Sequence, residues 1–220
     1  MTQREKDVYI ETVAAQYLDK NFYPHFDPKF KRITDRDKQI SGIDVIACGK
    51  NIDEKAKVRG VLNRTINHIS FEIARRIKPY KRHTVGWFTT AKSNTDNYLF
   101  ISIFSTQNGE DAISIDNIDH LVCLSVRKKE VYNYIGSTPL DLVKKSVQLS
   151  KSVLPGIKAN YKISKDNKPR LMLNDNCYIV MSLQIKNEVP FNLVIPREIL
   201  KKLPGTVEYY CDESGVKKLP

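Results

Sequence analysis

Apolar and polar residues are distributed along this chain in patterns that separate helix from strand. Near the N-terminus, apolar residues recur at Ile10, Val13, Ala14, Tyr17 and Leu18, a spacing that lines one face of an α-helix. Thr2 followed by Glu5 has the form of a capping box, which places the start of that helix. Pro24 and Pro28 end it after about residue 20. A polar stretch over 31–39 follows, with no predicted element.

The next patterns are those of strands. Residues 43–47 read as a short strand, Gly49-Lys50 as a turn, and 52–58 as the returning strand of a hairpin. Residues 68–74 are apolar and β-branched enough for a third strand, with a helix as the alternative. Residues 98–104 are the clearest strand, 121–126 another, and 178–185 and 191–195 two more. Leu140, Val143, Val147, Leu149 and Val153 return to helical spacing, stopped by Pro155-Gly156. Pro196 opens a short helix ending near Leu203. With no repeat and no linker, this is one α/β domain over 1–220, a central mixed β-sheet flanked by helices. Its core spans about 1–130, and strands and helices over about 131–220 extend it.

Composition is that of an ordinary globular chain, 41% hydrophobic and 28% charged, so disorder is not expected. No apolar run reaches the roughly 18 residues of a membrane span, and the polar N-terminus carries no secretory core; a cytoplasmic protein away from membranes is expected. Cys48, Cys123, Cys177 and Cys211 are far apart, as are the histidines, which argues against a structural zinc site. The net charge of +11 changes the picture, since it suits a polyanionic partner such as nucleic acid. Between Lys55 and Arg82 lie nine basic residues and one acid, Glu72. Lys57, Arg59, Arg75 and Arg76 in this segment are the candidate phosphate contacts.

The candidate chemistry lies just before that segment. Asp44 and Asp53 sit inside apolar strands, where a carboxylate must be paired or bind a metal. Alternation sends Asp53 and Lys55 to one face and Glu54 to the other. With a two-residue turn at Gly49-Lys50, Asp44 falls opposite Lys55 and joins that face; sliding the turn by one position preserves the convergence. Two carboxylates and an ammonium can hold Mg²⁺ or Mn²⁺ beside a phosphodiester and position an attacking water. A structural Asp–Lys pair across a hairpin is the alternative.

The pattern of Asp44 at one strand end and Asp53-x-Lys55 on the next resembles the PD-(D/E)XK nuclease superfamily. The wider string Gln39-x-x-Gly42-Ile43-Asp44, Ile52-Asp53-Glu54-Lys55-Ala56, Phe71-Glu72-Ile73, Gly86-Trp87-Phe88 and Thr95-Asp96-x-Tyr98 is similar to small bacterial and phage proteins of that superfamily. Ile43 stands where the family's first motif has proline. The resemblance implies a restriction-endonuclease-like core and metal-dependent cleavage of DNA, with RNA left open, by Asp44, Asp53 and Lys55. It also implies a further metal-binding carboxylate on the first helix, for which Glu11 is the candidate, and it is compatible with a homodimer. Glu72 either orients Lys55 at the site or pairs with a neighbouring arginine. Trp87 and Phe88 read as core, and Gln39 as a surface residue. Two rivals remain: a non-catalytic nucleic-acid-binding protein on the same fold, and a basic protein–protein interaction module.

Overall fold

A computed structural model describes residues 3–56, 63–77, 82–107, 113–153, 169–182 and 188–220. In chain order the elements are α1 (Gln3–Asn21), α2 (Tyr23–Phe26), β1 (Lys31–Arg32), α3 (Arg36–Ile40), β2 (Val45–Ala47), β3 (Lys50–Ala56), β4 (His68–Ile77), β5 (Arg82–Val85), β6 (Asn97–Ser105) and β7 (Ile118–Arg127). They continue with α4 (Lys128–Ile135), α5 (Pro139–Val153), β8 (Arg170–Asn174), β9 (Cys177–Met181), β10 (Glu188–Pro196), α6 (Arg197–Leu200), β11 (Val207–Asp212) and β12 (Gly215–Lys218). The long helices and strands read from periodicity are present, although the strand expected over 178–185 ends at Met181, and residues 57–58 and 183–185 of the expected strands lie outside the described residues. The pattern did not reveal the short, polar or edge elements, among them β1, β5, β8 and β12, whose few residues bury too little to leave a period.

Where one sheet was expected there are two, one in each of two compact units. The first unit comprises 1–67, 94–131 and 200–220. Its sheet runs β1-β2-β3-β6-β7-β11-β12, with β3 parallel to β6 and the other neighbours antiparallel. A parallel pair needs a long crossover, and the chain between β3 and β6 contains β4 and β5 of the other unit. Ile10, Val13, Ala14, Tyr17 and Leu18 of α1 are buried, in one cluster with Val45, Leu99, Ile101, Leu121 and Cys123. Each such aliphatic side chain contributes about 1.5–3 kcal/mol, which orders α1 and its outer edge together.

The second unit comprises 68–93 and 132–199. Its antiparallel sheet runs β5-β4-β10-β9-β8, and α5 packs on β4, β8 and β9. Phe88 is fully buried against Phe71 and stacks on Tyr132, as expected for a core residue, and Trp87 beside them is half-buried. Gly86 is required by a close approach: a Cβ there would lie 2.3 Å from the Glu72 carbonyl oxygen. Thr89 holds the same turn by donating its hydroxyl to the Ile73 carbonyl.

Candidate active site

The hairpin that carries the predicted chemistry turns one position earlier than the sequence suggested. β2 and β3 pair Ala47 with Lys50, Ile46 with Asn51 and Val45 with Ile52. The turn is therefore Cys48-Gly49, both with positive φ (49° and 68°), the backbone of a type I′ turn that matches strand twist. Asp44 accordingly lies beside Ile52–Glu54, not opposite Lys55. Its N–H donates to the Ile52 carbonyl at 2.9 Å, and its carboxylate accepts from the Glu54 N–H at 2.8 Å. Where β2 leaves β3, a side-chain oxygen thus replaces the missing main-chain acceptor.

The convergence survives the corrected turn. Asp53 is 2% exposed, between β2 and β6, where it pairs with Tyr98. Its carboxyl is hydrogen-bonded to that of Asp44 and accepts from Lys55 Nζ at 2.5 Å. Burial pushes the Asp53 carboxyl up to about 7, Lys55 opposes the rise, and Asp44 adds to it. Two carboxylates this close cannot both ionise at low cost, so Asp53 holds the shared proton near neutrality. Lys55, 32% exposed at its side chain, connects this buried pair to solvent.

A cavity of about 550 Å³ opens beside the pair, with Glu11, Arg32, Gln39, Asp44, Glu54 and Lys55 in its wall. Glu11 reaches solvent on the α1 surface, but the surrounding protein displaces enough water to raise its carboxyl. Lys55 opposes that rise and Asp44 reinforces it. Glu11 thus stands within electrostatic reach of both, but it does not cluster with Asp44 and Asp53 into a three-carboxylate metal site. Gln39, read as a surface residue, lines the same wall and donates its amide to the Ile33 carbonyl at 2.9 Å.

Two features were not legible in the sequence. Glu54, on the opposite face as alternation required, is bound by Arg32 at 2.5 Å and by the Tyr23 hydroxyl at 2.7 Å. Arg32 also holds Asp19 of α1 at 2.6 Å, so one guanidinium ties β1, β3 and α1 together. Burial raises the Glu54 carboxyl, and Arg32 and Tyr23 pull it back. Lys128, first residue of α4, donates its N–H to the Asp96 carbonyl at 2.9 Å. Burial lowers its ammonium, against the opposing pull of Asp53 and Asp96. A second amine therefore stands near Asp53, from a strand end some 75 residues away in the chain, a distance that no local pattern spans.

The remaining candidates divide. Glu72 belongs to the second unit, and its carboxylate accepts from Arg75 Nη2 at 2.6 Å, the arginine pairing that the sequence offered as its alternative role. Arg75 is bound further by Glu188 at 3.4 Å, which leaves it badly placed as a phosphate contact. Arg76 has no carboxylate partner among the described residues. Lys57 and Arg59 lie outside the described residues.

The donor set suits a small, hard cation. Among the described residues no three or more acidic, histidine or cysteine side chains cluster tightly enough to hold a metal ion by themselves. The hydrogen-bonded Asp44–Asp53 pair offers two carboxylates, and Mg²⁺ is commonly held by one or two carboxylates, with water and substrate phosphate completing its shell. No helix among the described residues is long and apolar enough to cross a membrane. No protein-family profile, curated protein or solved structure matches this chain.

Proposed function

We propose that this chain hydrolyses phosphodiester bonds in nucleic acid, DNA in the first instance, as a metal-dependent nuclease with a restriction-endonuclease-like core. The reading is carried by one observation: a 2% exposed acid, Asp53, hydrogen-bonded to a second acid and to a lysine in the wall of a 550 Å³ cavity. A purely structural pair does not need two carboxyl groups in contact, since a buried carboxylate is better served by one cation.

Mg²⁺ or Mn²⁺ held by Asp44 and Asp53 would supply a polarised water and charge neutralisation at the phosphate. The chain's own residues do the rest. The Glu54 N–H fixes the Asp44 carboxylate, so its lone pairs point along one direction. Lys55, donating to Asp53, holds the attacking water in line and balances charge building on the phosphate oxygens. The Arg32 clamp on Glu54 and Asp19 keeps β3 and α1 in place, so the cavity wall does not collapse onto Asp44. Glu11, with its raised carboxyl, accepts a proton from a bound water.

The test is a cleavage assay on single- and double-stranded DNA with Mg²⁺, Mn²⁺ or EDTA, run beside Lys55→Ala. Metal-dependent cutting by the wild type and its loss in the variant, with DNA binding retained, are expected. Cutting by Lys55→Ala at the wild-type rate refutes the role given to Lys55. Binding without cutting on every DNA and RNA tried returns the chain to a non-catalytic nucleic-acid-binding protein.

A further inference from the structure

Adjacent arginines on β4 meet opposite fates, and the reason is a bulge. β4 and β10 pair Ala74 with Phe191 and Glu72 with Asn192, so Ile73 has no partner and the register shifts there. In a regular strand, residues three apart face opposite sides. The extra residue brings Glu72 and Arg75 to the same side, where Arg75 is held by Glu72 and Glu188. Arg76 is sent to the other face.

On that face Arg76 is the direct cross-strand partner of His83 on β5. Lys151, in the last turn of α5, which packs on β4, lies within electrostatic reach of the same imidazole, and burial together with Arg76 and Lys151 holds His83 below its ordinary pKa. The His83 ring lies 5.8 Å from that of Phe191, and its Nε2 is buried with no hydrogen-bond partner. Among the described residues neither Arg76 nor Lys151 has a carboxylate partner. Arg76 and Lys151 thus set two uncompensated positive charges against one imidazole, which keeps that ring neutral. The helix C-terminus accounts for Lys151 alone, and leaves the cross-strand Arg76–His83 pair unexplained. An anion would turn each of these features to use: Arg76 offers a planar fork of donors, Lys151 a point charge, and His83 an unused ring nitrogen.

We propose that Arg76, His83 and Lys151, drawn from β4, β5 and α5 of the second unit, form a holding site for the phosphate backbone of nucleic acid. The choice of nucleic acid rests on the proposed function; the three-residue cluster does not. The site recognises phosphate oxygens and not bases, since a guanidinium and an ammonium beside an imidazole engage backbone and sugar regardless of sequence. Arg75, the neighbour on the chain, takes no part.

The test measures binding of a labelled duplex and its single strand by the full-length chain in EDTA, in an Asp53→Asn background so that nothing is cut, over a series of salt concentrations. Arg76→Ala/Lys151→Ala should weaken binding by about tenfold or more and flatten the logarithmic salt slope by about 0.7–0.9 for each phosphate no longer neutralised. Arg76→Lys/Lys151→Arg should retain most of the affinity, and Lys218→Ala, at an exposed position of β12, should leave it unchanged. Unchanged binding by the double alanine variant, or an equal weakening from Lys218→Ala, overturns the proposal. Should the double variant fail to fold, titration of the His83 ring by NMR decides: its pKa should rise when the oligonucleotide is added, and no movement overturns the proposal. The two readings separate cleanly. Binding abolished in the double variant while the wild type cuts nothing retains the phosphate site and removes the nuclease. Metal-dependent cutting with binding unaffected by the variant does the reverse.

Discussion

Asp53→Asn should make the protein more stable above neutral pH, even though it removes a predicted metal-binding group. The Asp53 carboxyl is raised from 3.8 to about 7, and with the residue 2% exposed little of that shift is screened by solvent. Each unit of difference between folded and unfolded pKa is worth about 1.4 kcal/mol, so ionising Asp53 in the folded chain costs about 4 kcal/mol. The sign follows from proton binding. Between about pH 4 and 7 the folded chain keeps a proton that the unfolded chain has released, so wild-type stability falls as pH rises through that window and levels off above it. Asparagine mimics the protonated acid and carries no such term. Glu11 and Glu54, also raised, slope the same way in both proteins and cancel in the difference. Urea denaturation in EDTA at a series of pH values gives the two profiles. The wild type should lose several kcal/mol relative to Asp53→Asn between the ends of the window, and added Mg²⁺ should return part of that loss to the wild type alone. Parallel profiles would refute the claim that Asp53 is a buried acid sharing a proton with Asp44.

Other perturbations test the surrounding frame. Arg32→Met leaves Glu54, whose side chain is 10% exposed, without its cation and should cost about 3–5 kcal/mol in urea denaturation. Arg32→Met/Glu54→Gln should recover most of it, and failure to recover would mean that Arg32 acts through Asp19 instead. Gly86→Ala places a Cβ 2.3 Å from the Glu72 carbonyl and should cost about 1–3 kcal/mol or more in thermal denaturation; a neutral effect would refute the close approach of that turn to β4.

Much of the candidate site is legible in the sequence itself. Hairpin registers that differ by a one-position slide of a two-residue turn keep the same residues on the same face, because the shift in pairing is two residues and the side-chain period is two. Moving the turn from Gly49-Lys50 to Cys48-Gly49 therefore changed which residue lies beside Asp44, yet left Asp44, Asp53 and Lys55 together. The α1 stripe of Ile10, Val13, Ala14, Tyr17 and Leu18 was legible for a similar reason, since a helical face is a property of local spacing.

Long-range pairing was beyond that reach. Nothing local to Arg75 and Arg76 says which is neutralised. That depends on a bulge set by β10, more than 110 residues later in the chain. The Arg32–Glu54 bond, the approach of Lys128 to Asp53 and the division into two sheets likewise rest on distant segments brought together. Alternation and turn chemistry are written residue by residue, so the sequence determined the faces on which Asp44, Asp53 and Lys55 lie. Only the tertiary structure decided what those faces meet, because burial and ion pairing depend on the chain brought against them.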